Sequence, residues 1–302
     1  MSKLNFVFFG TPEVASETLE ILKRSGFTPS LIVTSPDKPQ GRKMLVTPPP
    51  VKVWAEENGI PYIQPETLGK LEIVLRTSAQ AGEPSKAIRQ QANTRGEQNN
   101  FQFDLFVIVA YGKILPESIL NMPKLGSINI HYSLLPKYRG ASPVESAILN
   151  GETETGVTIQ KMAYKMDSGP ILAQEKVEIF SNEKAPDLRG RLIKIGGELL
   201  VKILKTPSVS GHFPFAGGEE QDESQATFCK KIKKEDGLID LDDDPVKNYN
   251  KFRAYAEWPR TFFFRNGKRI IITDAILDNG QFVLKKVIPE GKREINWEKL
   301  IK

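Results

Sequence analysis

In the stretch Ile128-Asn129-Ile130-His131 apolar and polar residues alternate. On a β-strand this puts the side chains of Asn129 and His131 on one face, about 6–7 Å apart, and the two isoleucines on the other. A side-chain amide can donate to a developing oxyanion, and an imidazole can take or relay a proton near neutral pH, a combination suited to acyl transfer. A lone histidine at a strand end is more often structural, so the pair needs context. Asp167 lies in Lys165-Met166-Asp167-Ser168-Gly169-Pro170, a turn signal in which an aspartate commonly caps the turn. Folded back over the end of the His131 strand, the same carboxylate would orient the imidazole.

Other chemistries have weaker support. The two histidines, His131 and His212, and the one cysteine, Cys229, cannot assemble a zinc site without carboxylate help, so chemistry with no metal is expected. Gly10-Thr11-Pro12 has one glycine where a dinucleotide fingerprint needs three, and no phosphate-binding Gly-x-x-x-x-Gly-Lys-Ser/Thr occurs. Ser133 lacks the pattern of a hydrolase nucleophile.

Ligands on open parallel sheets bind beyond the carboxyl ends of the strands, so the elements leading to these residues matter. Over residues 1–204, strand-like and helix-like segments alternate, which predicts a doubly wound, mostly parallel sheet with helices on its faces. Strands are expected at residues 4–9, 31–34, 62–63, 105–110, 127–131, 156–162 and 171–177. The run at 105–110 is continuously apolar, as a central strand buried on both faces must be. Helices are expected at 12–25, 51–58, 141–149 and 187–204; the first opens on Pro12 and stops before Gly26. Residues 35–50 read as a loop rich in proline and cations. Residues 76–100, with much Gln, Asn, Ala and Ser, read as a peripheral loop or a loose helix-bearing insertion.

Residues 205–224 combine Pro207, Gly211, Pro214, Gly217 and Gly218 with an acidic cluster, which is linker composition. A second domain, 225–302, carries strand-like runs at 260–264, 269–273 and 281–287. The last two are joined by Asp278-Asn279-Gly280, a hairpin turn, and the whole reads as a small β-barrel. This domain holds 17 Lys plus Arg against 12 Asp plus Glu, whereas the rest of the 302-residue chain holds 25 of each. All of the +5 charge sits there, which points to a polyanionic partner, nucleic acid before membrane. No run approaches the ~18 apolar residues of a membrane span. The opening apolar run is too short for a signal peptide and the cysteine is single, so a cytoplasmic protein is expected.

The segment Asn129-Ile130-His131-Tyr132-Ser133-Leu134-Leu135-Pro136-Lys137-Tyr138-Arg139-Gly140-Ala141-Ser142-Pro143 resembles the signature of the folate-dependent formyltransferases. Within them the chain is similar to the members that act on methionyl-tRNA: in Phe9-Gly10-Thr11-Pro12, in Pro36 to Arg42, in Val109 to Pro116, in Met166 to Leu172, in Lys231 to Gly237 and in Trp258-Pro259. The resemblance implies a Rossmann-like domain followed by an OB-like tRNA-binding barrel. It implies 10-formyltetrahydrofolate as donor and initiator methionyl-tRNA as acceptor, with no obligate protein partner. The family's catalytic residues fall on Asn129, His131 and Asp167. Its folate contacts fall on Ala110, Tyr111, Gly112 and Ile114, and on Ser133, Leu134, Leu135 and Pro136. Its tRNA contacts fall on Lys38, Gly41, Arg42 and Lys43, and on Lys231, Lys233 and Lys234. Two departures stand out: most of 76–100 is an insertion, and the second domain lacks a strand or two of the family's barrel. A formyltransferase with a small amine acceptor, such as a nucleotide-linked amino sugar or a glycinamide nucleotide, and a formyl-folate hydrolase stay open as alternatives.

Overall fold

The computed structural model describes residues 4–41, 44–81, 103–206 and 217–301. In chain order the strands are β1 (Phe6–Gly10), β2 (Leu31–Val33), β3 (Lys38–Gln40), β4 (Leu45–Thr47), β5 (Tyr62–Ile63), β6 (Leu105–Val109), β7 (Ser127–His131), β8 (Arg139–Gly140), β9 (Glu154–Lys161), β10 (Ile171–Glu178), β11 (Phe228–Cys229), β12 (Phe262–Arg265), β13 (Lys268–Asp278), β14 (Gln281–Pro289) and β15 (Ile295–Asn296). Seven of them form the main sheet, in the order β10-β9-β7-β6-β1-β2-β5. Pairing is parallel from β5 through β2, β1 and β6 to β7, and β9 runs antiparallel to β7. The chain winds outward one way from β1 to β5, then restarts at β6 on the other side of β1. The β1/β6 boundary is therefore a topological switch point, where open sheets leave a crevice.

The apolar run of β6 is buried throughout, with four of its residues at 0% exposure and Ile108 at 6%. Phe9, Phe106, Leu31 and Val33 form one core cluster with Leu71 and Leu75 of the helix Leu68–Ala81. The sequence pattern does not predict that helix, although Leu68, Leu71 and Leu75 have its spacing. It includes residues 76–81; the rest of the expected insertion lies outside the described residues. Residues 35–50 are more ordered than a loop: β3 and β4 pair antiparallel around Gly41, whose φ is +70°. Arg42 and Lys43 lie outside the described residues.

The chain divides into two compact units. The first comprises residues 1–131, 158–175 and 193–221, and the second residues 132–157, 176–192 and 222–302. In the second, β12 to β15 form a four-stranded sheet in sequence order, antiparallel throughout. Its core gathers Phe252, Phe263, Ile270, Ile272 and Val287. Asn279 and Gly280, both at positive φ, turn β13 into β14 as the Asn-Gly pair implied. Also in this unit, β8 pairs parallel with β11, and Gly140 lies where a Cβ would meet the Cys229 carbonyl oxygen at 2.2 Å. Among the described residues, no helix is long and apolar enough to cross a membrane.

Candidate active site

His131 ends β7, and Asn129 precedes it on the same face. Both are buried polar groups, at 5% and 9% exposure. Across the strand pair, Asn129 faces Gln160 and His131 faces Thr158 of β9. Asp167 then enters from the connection between β9 and β10. Its backbone is left-handed, φ +49°, in a turn closed by Ser168 N–H donating to the Lys165 carbonyl. The turn folds back over the strand end: Asp167 Oδ2 stands 3.7 Å from His131 Nδ1. At that separation the carboxylate acts on the ring through its field and its facing, and active-site contacts often tighten only around substrate.

The structure thus brings together Asn129, His131 and Asp167. Two further side chains, with no signal in the sequence reading, join them. Gln160, 1% exposed, donates from Nε2 to Asp167 Oδ1 at 3.0 Å. Gln221 donates from Nε2 to the carbonyls of Asp167 and Gly169, at 2.9 and 2.7 Å.

The loop after β6 leaves the same sheet end. Ala110 is exposed in a left-handed conformation, φ +47°, Gly112 follows at φ +82°, and Ile114 is 68% exposed. Tyr111 differs from its neighbours. Its ring packs edge-on against Phe9 in the core, and burial pushes its hydroxyl pKa up to about 12. Its carbonyl accepts from Thr11 Oγ1 at 3.2 Å, which ties the ends of β1 and β6. Lys113, unremarked in the sequence, donates to the Pro65 carbonyl at 2.9 Å. Burial, and secondarily the charge of Lys38, lowers its pKa.

Ser133 and Leu135 are buried, and the Ser133 hydroxyl donates to the Lys137 carbonyl at 2.6 Å, closing its own loop. Leu134 and Pro136 are half-buried. Lys38 is exposed on β3, and Gly41 is exposed at the hairpin turn. Lys231 and Lys233, with Lys230, line a cleft of about 520 Å³ in the second unit that also includes Tyr138, Phe228 and Tyr255. Lys234 is exposed beside it.

Comparison with known proteins identifies the family. Residues 3–204 match the formyl transferase family, and residues 231–296 match the formyl transferase C-terminal domain. The methionyl-tRNA formyltransferase of Thermotoga maritima is 41% identical over 85% of this chain and 74% of its own length. The solved structure of methionyl-tRNA formyltransferase from Clostridium thermocellum shares the fold, with a TM-score of 0.57 and 16% identity, covering 97% of this chain and 99% of that one. An N-formyltransferase from Helicobacter canadensis, solved with folinic acid and dTDP-3-aminofucose, superposes with a TM-score of 0.61 at 19% identity over 91% of this chain and 88% of that one. The chain belongs to the formyl transferases and, among them, to the methionyl-tRNA formyltransferase family.

Proposed function

We propose that this protein transfers the formyl group of 10-formyltetrahydrofolate to the amino group of methionine esterified to initiator tRNA. The approach of Asp167 to His131 beside Asn129, in a chain of this family, carries the reading. Residues 1–204 then supply the chemistry, and 225–302, joined through 205–224, hold the tRNA. The activity serves translation initiation and belongs in the cytoplasm.

The exchange forms a bond from the amine nitrogen to the formyl carbon and breaks the bond from that carbon to N10 of the folate. The amine loses a proton and the folate nitrogen gains one. Asp167 faces Nδ1 of His131, which favours the tautomer with its hydrogen there and leaves the Nε2 lone pair to accept the amine proton. The same imidazolium can return a proton to the departing nitrogen. The Asn129 amide, donating to the formyl oxygen as it gains charge, lowers the barrier to the tetrahedral intermediate. Both groups are buried, where such interactions exceed their value in water.

The loop after β6 suits a flat, partly apolar ligand. Ile114 offers exposed apolar surface, and among the described residues nothing beyond its own chain neighbours stands within 4 Å of the place where a Cβ of Gly112 would be, so the backbone is approachable. Ala110, Gly112 and Ile114 would hold the folate, with Tyr111 bracing them from the core. Leu134 and Pro136 are the residues of the second segment with surface to offer. Incubation with initiator methionyl-tRNA and 10-formyltetrahydrofolate should give N-formylmethionine when the ester to tRNA is cleaved by mild base. Transfer only to a small amine, or folate hydrolysis with no acceptor, would replace this reading.

A further inference from the structure

We propose that Gln221 and Gln160 are positioning residues that hold Asp167 in place, so that the segment 217–221 completes the active site. This rests on the formyl-transfer reading of that site.

Each oxygen of Asp167 has a neighbour in the site: Oδ1 accepts from Gln160 Nε2, and Oδ2 faces His131 Nδ1. The hydrogen bond from Gln160 therefore resists rotation of the carboxylate toward or away from the imidazole. That residue reaches it from β9, where it pairs with Asn129, so one glutamine links both polar groups flanking His131. The backbone of the turn needs its own restraint, because a non-glycine residue at φ +49° is held there only by its surroundings. Gln221 supplies it. One amide nitrogen donates to the carbonyls on both sides of Ser168, at 2.9 and 2.7 Å, and approaches Gln160 Oε1 at 3.5 Å.

Gln221 comes from a stretch of Gly, Glu and Asp in which nothing calls for burial, yet it is 9% exposed. Its approach is fixed by backbone pairing two residues earlier. Glu219 N–H donates to the Ile171 carbonyl at 2.9 Å, and Ile171 N–H donates back at 2.8 Å. The segment thus runs beside β10 as a short added strand and ends by inserting an amide under the Asp167 turn. A tether between folded units has no need of such contacts, whereas a carboxylate that must face an imidazole does.

The test replaces Gln221 with methionine, which keeps the volume and removes the donors, and does the same at Gln160. With formyl-folate and methionyl-tRNA, either change should lower kcat about 10-fold or more, as loss of alignment does, with both KM values within about twofold. In an Asp167→Asn background the same changes should cost less than about twofold, because the group they position is already gone. Unchanged kcat in Gln221→Met, or an equal loss in both backgrounds, overturns the proposal. Hydrogen–deuterium exchange of the peptide covering 163–169 reads the clamp without activity. Exchange should accelerate in Gln221→Met, and unchanged exchange overturns the proposal even if the unaltered protein transfers no formyl group. Should Gln221→Met fail to fold, Gln221→Asn, one methylene too short to serve both carbonyls, is read in the same way.

Discussion

Gly169 lies so close to Lys161 that a β-carbon on it would stand 1.8 Å from the Lys161 carbonyl oxygen. The Lys161 amide in turn donates to the Pro170 carbonyl at 2.9 Å. The turn carrying Asp167 is thus crossed over the end of β9 with no room for a side chain. Gly169→Ala must push this backbone away, and a shift of about 1 Å at the carboxylate should lower the single-turnover rate about 10²-fold. A rate near that of the unaltered protein would show that the chemistry tolerates a displaced Asp167.

Replacement of Asn129, His131 or Asp167 by alanine should each lower kcat by about 10² or more, the usual cost of losing an oxyanion donor or general base. Because the three act on one transfer, combined replacements should cost far less than the product of the single losses. Near-normal turnover in any single variant removes that residue from the mechanism.

The cations of the β3–β4 hairpin and of the second-unit cleft are proposed to meet tRNA phosphates. Affinity for tRNA should then fall steeply with salt, and each lost contact should reduce the log–log slope by about 0.7–0.9. Arg42→Ala should weaken use of charged tRNA and leave folate binding intact. Neutralising Lys230, Lys231, Lys233 and Lys234 together should weaken binding of all tRNAs alike. Filter binding across a salt series measures both; a flat salt response would point to a small amine acceptor.

Asp37 anchors the base of that hairpin. It accepts from Gln64 at 2.6 Å and from Lys52 at 2.7 Å, and these bonds hold its carboxyl below the ordinary carboxylate range. A carboxyl lowered on folding adds stability above its unfolded pKa, and that contribution is lost as pH falls through the folded value. The melting temperature should therefore drop more steeply below about pH 4 in the unaltered protein than in Asp37→Asn. Parallel curves would mean that the anchor contributes nothing to stability.

Deletion of residues 78–98 should leave folding and folate binding intact. It spares Leu71 and Leu75, the side chains of the preceding helix that enter the core. A fall in solubility or in folate affinity would show that the deleted stretch packs on the body of the protein.

The residues at the end of β7 could be placed from sequence because alternation is local. Ser-Ile-Asn-Ile-His puts Asn129 and His131 on one face whatever the strand pairs with, and the unbroken apolar run from Leu105 reads as a covered strand, which holds through Val109 while Ala110 turns out into the exposed loop. The turn at Asp167 was visible in its own residues. What it touches was not, because the Asn129–Gln160 pair depends on the register of an antiparallel neighbour some thirty residues away. Gln221 was hidden more deeply. Its surroundings are those of a solvated tether, and only long-range pairing with Ile171 turns it inward. The helix Leu68–Ala81 is hard to read for the opposite reason: its large apolar residues all lie within 68–75 and run on into a stretch that has no period.

The two family matches leave residues 205–230 unassigned, and Gln221 falls in that gap. A chimera that exchanges C-terminal modules at residue 204 would bring a foreign tail to the back of the Asp167 turn and would alter turnover for reasons unrelated to tRNA choice. Grafts meant to change only the acceptor should be joined after Gln221.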